Sequence, residues 1–219
     1  MGAKPLPKVL LNEVQYQDLY FYQKTEVLYA LTFHFAKRFL ASKGDRTVDQ
    51  MIQAARSGKQ NNVEGSEDGK TSTEMELKLL NVARASLQEL CEDYKDYLKS
   101  HNLPLWNSSN DRYERMRLFC REHNDYDAYS QIVEKMSDEE MANLALTLCH
   151  QTDKMMVKYL EQLEKQFVTE GGIKERMHAA RTGYRNGVDN RLHELEAENQ
   201  QLKEEVAKLK EEIRRLRNT

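Results

Sequence analysis

Residues 192–216 read LHELEAENQQLKEEVAKLKEEIRRL, and the spacing inside this stretch decides the fold class. Two interleaved series return every seven positions. Leu192, Asn199, Val206 and Ile213 stand at a, and Leu195, Leu202, Leu209 and Leu216 at d. Such a repeat keeps one seam of an α-helix apolar along its length, and a second helix must cover that seam. β-Branched residues at a with leucine at d favour two parallel strands. Asn199 agrees, because paired amides bond across a parallel dimer and fix its register. In a parallel pair each g residue faces the next e residue of its partner. Those pairs are Arg191 with Glu196, Glu198 with Lys203, Glu205 with Lys210, and Glu212 with Arg217, all opposite in sign. The stretch predicts a parallel leucine-zipper coiled coil over 189–219, roughly 40 Å long at about 1.5 Å per residue.

Upstream the period changes to three- and four-residue steps, the mark of amphipathic helices that pack into a core. After a leader (1–14), the first helix is expected from Gln15 to Leu40, with Leu19, Tyr22, Glu26, Tyr29, Phe33 and Ala36 along one face. Ser42-Lys43-Gly44 stops it. Asp45 can cap a second helix that runs to about Glu64, with Gly65 to Gly69 as the next turn. Thr71 and Glu74 match a capping box for a third, whose stripe is Met75, Leu79, Val82, Ala83, Leu87, Leu90, Tyr94 and Tyr97. Asn102-Leu103-Pro104 ends it. The polar segment 101–136 holds a short charged helix, Arg112 to His123, and is expected to leave the bundle, with Trp106 plugging a core edge. Ser137 and Glu140 form a second capping box before the fourth long helix, and Gly171-Gly172 closes it. The expectation is an all-α chain. An up-down four-helix bundle (15–170, with an insertion at 101–136) is followed by a basic suffix or linker (171–188) and the coil (189–219).

The composition agrees. Among 219 residues, 32% are charged, with nine Gly and three Pro, too few turn formers for an all-β fold. A net charge of −3 gives no global positive field, so polyanion binding needs a local patch. No apolar run is long enough for a membrane span, and the first eight residues lack a signal core, so a cytoplasmic protein is expected. Cys91, Cys120 and Cys149 are widely spaced without a C-x-x-C pair, and read as reduced, buried thiols.

Several stretches resemble a known family. They are Gly44-Asp45-Arg46-Thr47-Val48-Asp49-Gln50, Ala54-Ala55-Arg56-Ser57, Asn61-Asn62-Val63-Glu64-Gly65, and the run from Asn81 to Leu90. Together they look like the bacterial four-helix-bundle proteins encoded in ribosomal-RNA intervening sequences. Those proteins resemble the accessory variability determinant protein of diversity-generating retroelements. Gly171 to Met177, followed by Ala180-Arg181-Thr182, looks like the branch called the four helix bundle suffix domain. The resemblance covers roughly residues 15–185. It implies an up-down bundle without catalysis, assembly into a pentameric ring, and, in the retroelement relatives, a basic surface that binds nucleic acid and the reverse transcriptase. Asn62 stands where the family usually has an apolar residue, and this chain is acidic where the retroelement proteins are basic.

Two sets of upstream residues are candidates for function. Arg46, Arg56, Asn61, Glu64 and Arg84 fall on or beside faces that should meet in a bundle. A buried polar group is costly unless paired, so they are expected to form a hydrogen-bonded network that fixes register or joins subunits. Lys174, Arg176, Arg181 and Arg185 make 171–185 locally basic and could contact RNA or DNA. A basic-zipper DNA reader is disfavoured, because Met177 stands where its Asn would be, and Gly183 and Gly187 weaken the helix. No phosphate loop, nucleophile elbow or zincin motif is present. The expected protein is a non-enzymatic homo-oligomeric scaffold or adaptor without metal or cofactor. The alternative is a nucleic-acid-binding accessory protein of a retroelement-like system.

Overall fold

The computed structural model describes residues 15–40, 46–69 and 71–217. Within them the chain is all-helical, and no strand occurs. A single 3-10 turn (Tyr16–Asp18) precedes α1 (Tyr20–Phe39), α2 (Arg46–Gly69), α3 (Thr73–Ser100), α4 (Asp111–Glu122), α5 (Tyr126–Val133), α6 (Asp138–Glu170) and α7 (Ile173–Arg217). The described residues divide into two compact units, with α7 in one and those from Gln15 to Gly172 in the other.

In the larger unit α1, α2, α3 and α6 enclose one core, with α2 against α3, α3 against α6, and α1 against both α2 and α6. α2 and α3 run antiparallel at close range. A Cβ added to Gly58 would stand 2.7 Å from Leu87 Cδ2, and one at Gly65 3.2 Å from Leu79 Cβ. These glycines let two backbones approach. α3 and α6 are also antiparallel: Tyr159 donates to Glu76 Oε1 at one end of the contact, and Tyr97 to Asp138 Oδ2 at the other.

The buried face of α1 matches the expected one at Tyr22 and Ala36 and differs elsewhere. Phe21, Lys24, Thr25, Leu28, Leu31, Thr32 and Phe35 point inward, while Phe33 is 53% exposed and Glu26 lies at the surface. A helix with aromatic residues on every side offers no single apolar stripe to read. The inward polar groups are satisfied. Thr25 and Thr32 donate to Tyr22 O and Leu28 O, and Thr32 also accepts from the Tyr94 hydroxyl. Buried Lys24 donates to Cys120 O and His123 O at the end of α4, which serves the last carbonyls of that helix as a cap would. Burial lowers the Lys24 pKa.

Helix ends were legible with two shifts of register. Ser137 and Glu140 do form a capping box, and Gly171, with φ 71°, ends α6. The N-cap of α3 is Ser72, which accepts from Met75 N, while the Thr71 hydroxyl donates to Asp68 O. The capping box read at Thr71 and Glu74 is therefore not formed: the cap lies one residue later, and with Met75 at N3 it is a serine N-cap alone. The stripe of α3 shifts in its first half: Glu76 and Leu80 are buried and Met75 and Val82 are 43% and 48% exposed, while Ala83 and Leu87 are buried as expected. α2 runs through Gly65 to Gly69 rather than turning there, because packing on α3 outweighs glycine's helix cost of about 1 kcal/mol. The proposed cap Asp45 and the stop at 42–44 lie outside the described residues.

Residues 101–136 pack on the core rather than leaving it. α3 ends in a Schellman motif, with Asn102 at φ 54°, its N–H on Lys99 O and the Leu103 N–H on Leu98 O. The next loop is fastened to α6. The Asn143 amide accepts from Trp106 N and donates to Pro104 O, and the Trp106 indole donates to Glu139 Oε1. Trp106 is buried as expected. α4 then lies on α6 and α5 on α1, adding Cys120, Tyr129 and Val133 to the core.

Candidate oligomerisation interface

α7 is one uninterrupted helix of 45 residues, and none of its residues is buried. It continues through Gly183 and Gly187, around which nothing lies within 4 Å. The two glycines expected to weaken it are carried by the helix formers on either side.

The heptad seam lies bare along this helix. Leu192, Leu195, Leu202, Val206, Leu209, Ile213 and Leu216 are 43–72% exposed. Val188, one heptad before Leu195, extends the seam at 49%. Single exposed leucines are ordinary, but a stripe of them in heptad register marks a contact surface. Asn199 sits within it, beside Leu202 and Val206 in a shallow groove.

The flanking charges stand exposed, and some make local pairs. Arg191 bonds Glu194 at 2.9 Å, and His193 lies 3.5 Å from Glu196. Exposed pairs of this kind contribute on the order of 0.5 kcal/mol, so they would exchange readily for contacts across a coil.

Of the four basic residues, Lys174, Arg181 and Arg185 fall within an arc of about 40° at 100° per residue, whereas Arg176 points to the other side. The arc continues the seam. Lys174 and Arg181 occupy d positions three and two heptads ahead of Leu195, and Arg185 an a position one heptad ahead of Leu192. The seam is thus apolar from Val188 onward and cationic before it.

The five family-motif residues lie in separate places. Arg84 donates to Asp153 Oδ1 at 2.6 Å and ties α3 to α6. Asn61 donates to Ser57 O and Ser57 Oγ, and Ser57 Oγ bonds Ser86 on α3. Arg46 borders a groove between α2 and α3 that also carries Glu89 and Asp93. Arg56 and Glu64 are exposed, Glu64 accepting from Gln60. Register is held by Arg84–Asp153 between α3 and α6 and by Ser57–Ser86 between α2 and α3.

One cluster was missed. The three cysteines are free and buried, as expected, but Cys91 of α3 and Cys149 of α6 line one cavity, and the Cys91 Sγ stands 4.0 Å from His150 Nε2. A hydrogen bond from Cys149 lowers the Cys91 pKa, with further help from His150 and Lys95 against the effect of burial. The Cys149 pKa rises for the converse reason, and that of His150 rises through Cys91. Cys149 is buried and the adjacent His150 exposed, yet both border the cavity that Cys91 lines. Only the register between α3 and α6 places it there, and sequence spacing carries no sign of it. Among the described residues no group of three or more His, Cys, Asp and Glu could hold a metal ion, and no helix is long and apolar enough to cross a membrane.

Compared with known protein families, curated proteins and solved structures, the chain matches none.

Proposed function

We propose that this chain is a non-enzymatic, homo-oligomeric scaffold or adaptor, in which an up-down four-helix bundle carries a parallel two-stranded leucine zipper. The observation that carries the reading is the bare seam of α7, whose apolar a and d residues find no cover within their own helix. Covering a Val, Leu or Ile side chain is worth roughly 1.5–3 kcal/mol. Seven such residues on each of two chains supply ample driving force for pairing after the cost of association. Asn199 at an a position and four opposite-sign g–e pairs select the parallel, in-register partner, a second copy of this chain.

Parallel pairing places the two copies of Asn199 opposite each other. An Asn199→Cys variant should therefore oxidise to a covalent dimer in high yield, while Gln200→Cys, on the outer face, should not. Equal crosslinking at the two positions would count against the in-register parallel zipper.

The second reading, a nucleic-acid-binding accessory protein, draws on the face shared by Lys174, Arg181 and Arg185. In a parallel pair these cations would face their own copies, so the helices would part ahead of Val188 and present two basic arms. Binding of single-stranded RNA that weakens steeply with salt, and is lost when the three are changed to Gln, would support it. Binding that ignores those changes would dismiss it.

A further inference from the structure

Cys91 and Cys149 serve no part of the proposed scaffold, and their surroundings are unlike those of inert core thiols. Both thiols line one cavity of about 190 Å³ at the α3–α6 contact, with Lys95, His150, Glu92 and Asp153 around it, and Cys91 Sγ stands 4.0 Å from His150 Nε2. A cavity of that size admits several water-sized molecules. Cys120 supplies the contrast. It is fully buried, lies against Tyr129 and Lys24 rather than a second thiol, and burial pushes its pKa up to about 12.

We propose that Cys91 and Cys149 are a peroxide-oxidised dithiol pair, with Cys91 as the attacking thiol and Cys149 as the resolving one, closing a disulfide between α3 and α6. The Cys91 thiolate attacks one oxygen of hydrogen peroxide. A sulfur–oxygen bond forms, the oxygen–oxygen bond breaks, and the leaving hydroxide takes a proton from the His150 imidazolium to depart as water. Cys91 is then a sulfenic acid. The Cys149 thiol, which lines the same cavity, gives its proton to His150 and attacks. The sulfur–sulfur bond forms, the sulfur–oxygen bond breaks, and a second water leaves with the returned proton. The two thiols lose two electrons together, and one peroxide becomes two waters. A small dithiol reverses the change by exchange. The disulfide would pin α3 to α6, a crosslink that the zipper neither needs nor opposes.

The test treats the reduced full chain with stoichiometric hydrogen peroxide, blocks free thiols with iodoacetamide under denaturing conditions, and measures intact mass and linked peptides. The expected product has one alkylated cysteine, Cys120, has lost about 2 Da before alkylation, and yields a Cys91–Cys149 peptide that dithiothreitol removes. In Cys149→Ser, Cys91 should stop at the sulfenic acid and be trapped by dimedone. In Cys91→Ser, Cys149 should remain a thiol. Three alkylatable thiols in the treated natural chain, a disulfide between chains in its place, or equal dimedone labelling in both variants would overturn the proposal.

Discussion

Asn62 is wholly buried on α2, and among the described residues neither atom of its amide finds a hydrogen-bond partner. Replacing it with leucine keeps the number of side-chain heavy atoms and the branch point, and removes the polar group. Relief of an unpaired buried amide is worth roughly 1–3 kcal/mol. Burying the leucine adds roughly 1.5–3 kcal/mol, and fitting two methyls into a filled core costs roughly 1–3 kcal/mol. The net expectation is a gain of about 2 kcal/mol, or a melting temperature higher by about 4–8 °C for a cooperative unit of this size. Urea denaturation followed by far-UV circular dichroism reads it directly, provided the slope with denaturant is unchanged. Asn61→Leu is the control. That amide already donates to Ser57, so its replacement should bring no gain. A loss of 1 kcal/mol or more in Asn62→Leu would refute the reasoning and mean that the amide is paired in solution, as by a buried water.

Two further predictions concern the bundle and the long helix. Burial raises the Glu76 carboxyl pKa although the Tyr159 hydroxyl bonds it. In the window above the ordinary carboxylate range the native state therefore holds a proton that the unfolded chain has released. Stability from this group is present in acid and is lost as pH rises through the raised pKa. Glu76→Gln should match the natural chain near about pH 4, exceed it near about pH 8, and flatten the slope between them; an unchanged slope in denaturation curves would refute this. Glycine replacements should have opposite effects in the two units. Gly58→Ala meets Leu87 at 2.7 Å, and overpacking of roughly 1–3 kcal/mol should outweigh the helix gain of about 1 kcal/mol, lowering the urea midpoint. Gly183→Ala, in open space, should raise helicity, and the same sign for both variants would contradict the packing described.

The parts of the fold written in local chemistry were readable. Ser137, Glu140 and Gly171 announce the ends of α6 because each acts on backbone groups within a few residues of itself. The inward face of α1 was not readable. It includes Lys24, whose charge argues for solvent until the end of α4, 96 residues away, supplies the carbonyls that hold it. The seam of α7 was legible because a coiled coil repeats one contact every seven residues. The sharing of a face by Lys174, Arg181 and Arg185 followed only once the helix was seen to continue through both glycines. The Cys91–Cys149 contact left no local trace, since it depends on how far α3 slides along α6. The five family-motif residues share a pattern in sequence, but each meets a different partner in space.

The central claim is that the seam of α7 joins copies of this chain. Absolute mass by light scattering tests it most directly, on the full chain and on a version ending at Arg185. The account predicts an even multiple of the 25.7 kDa protomer for the full chain, and half as many subunits once the seam is removed. A full chain that scatters as a single protomer, or a subunit number that truncation leaves unchanged, would contradict it.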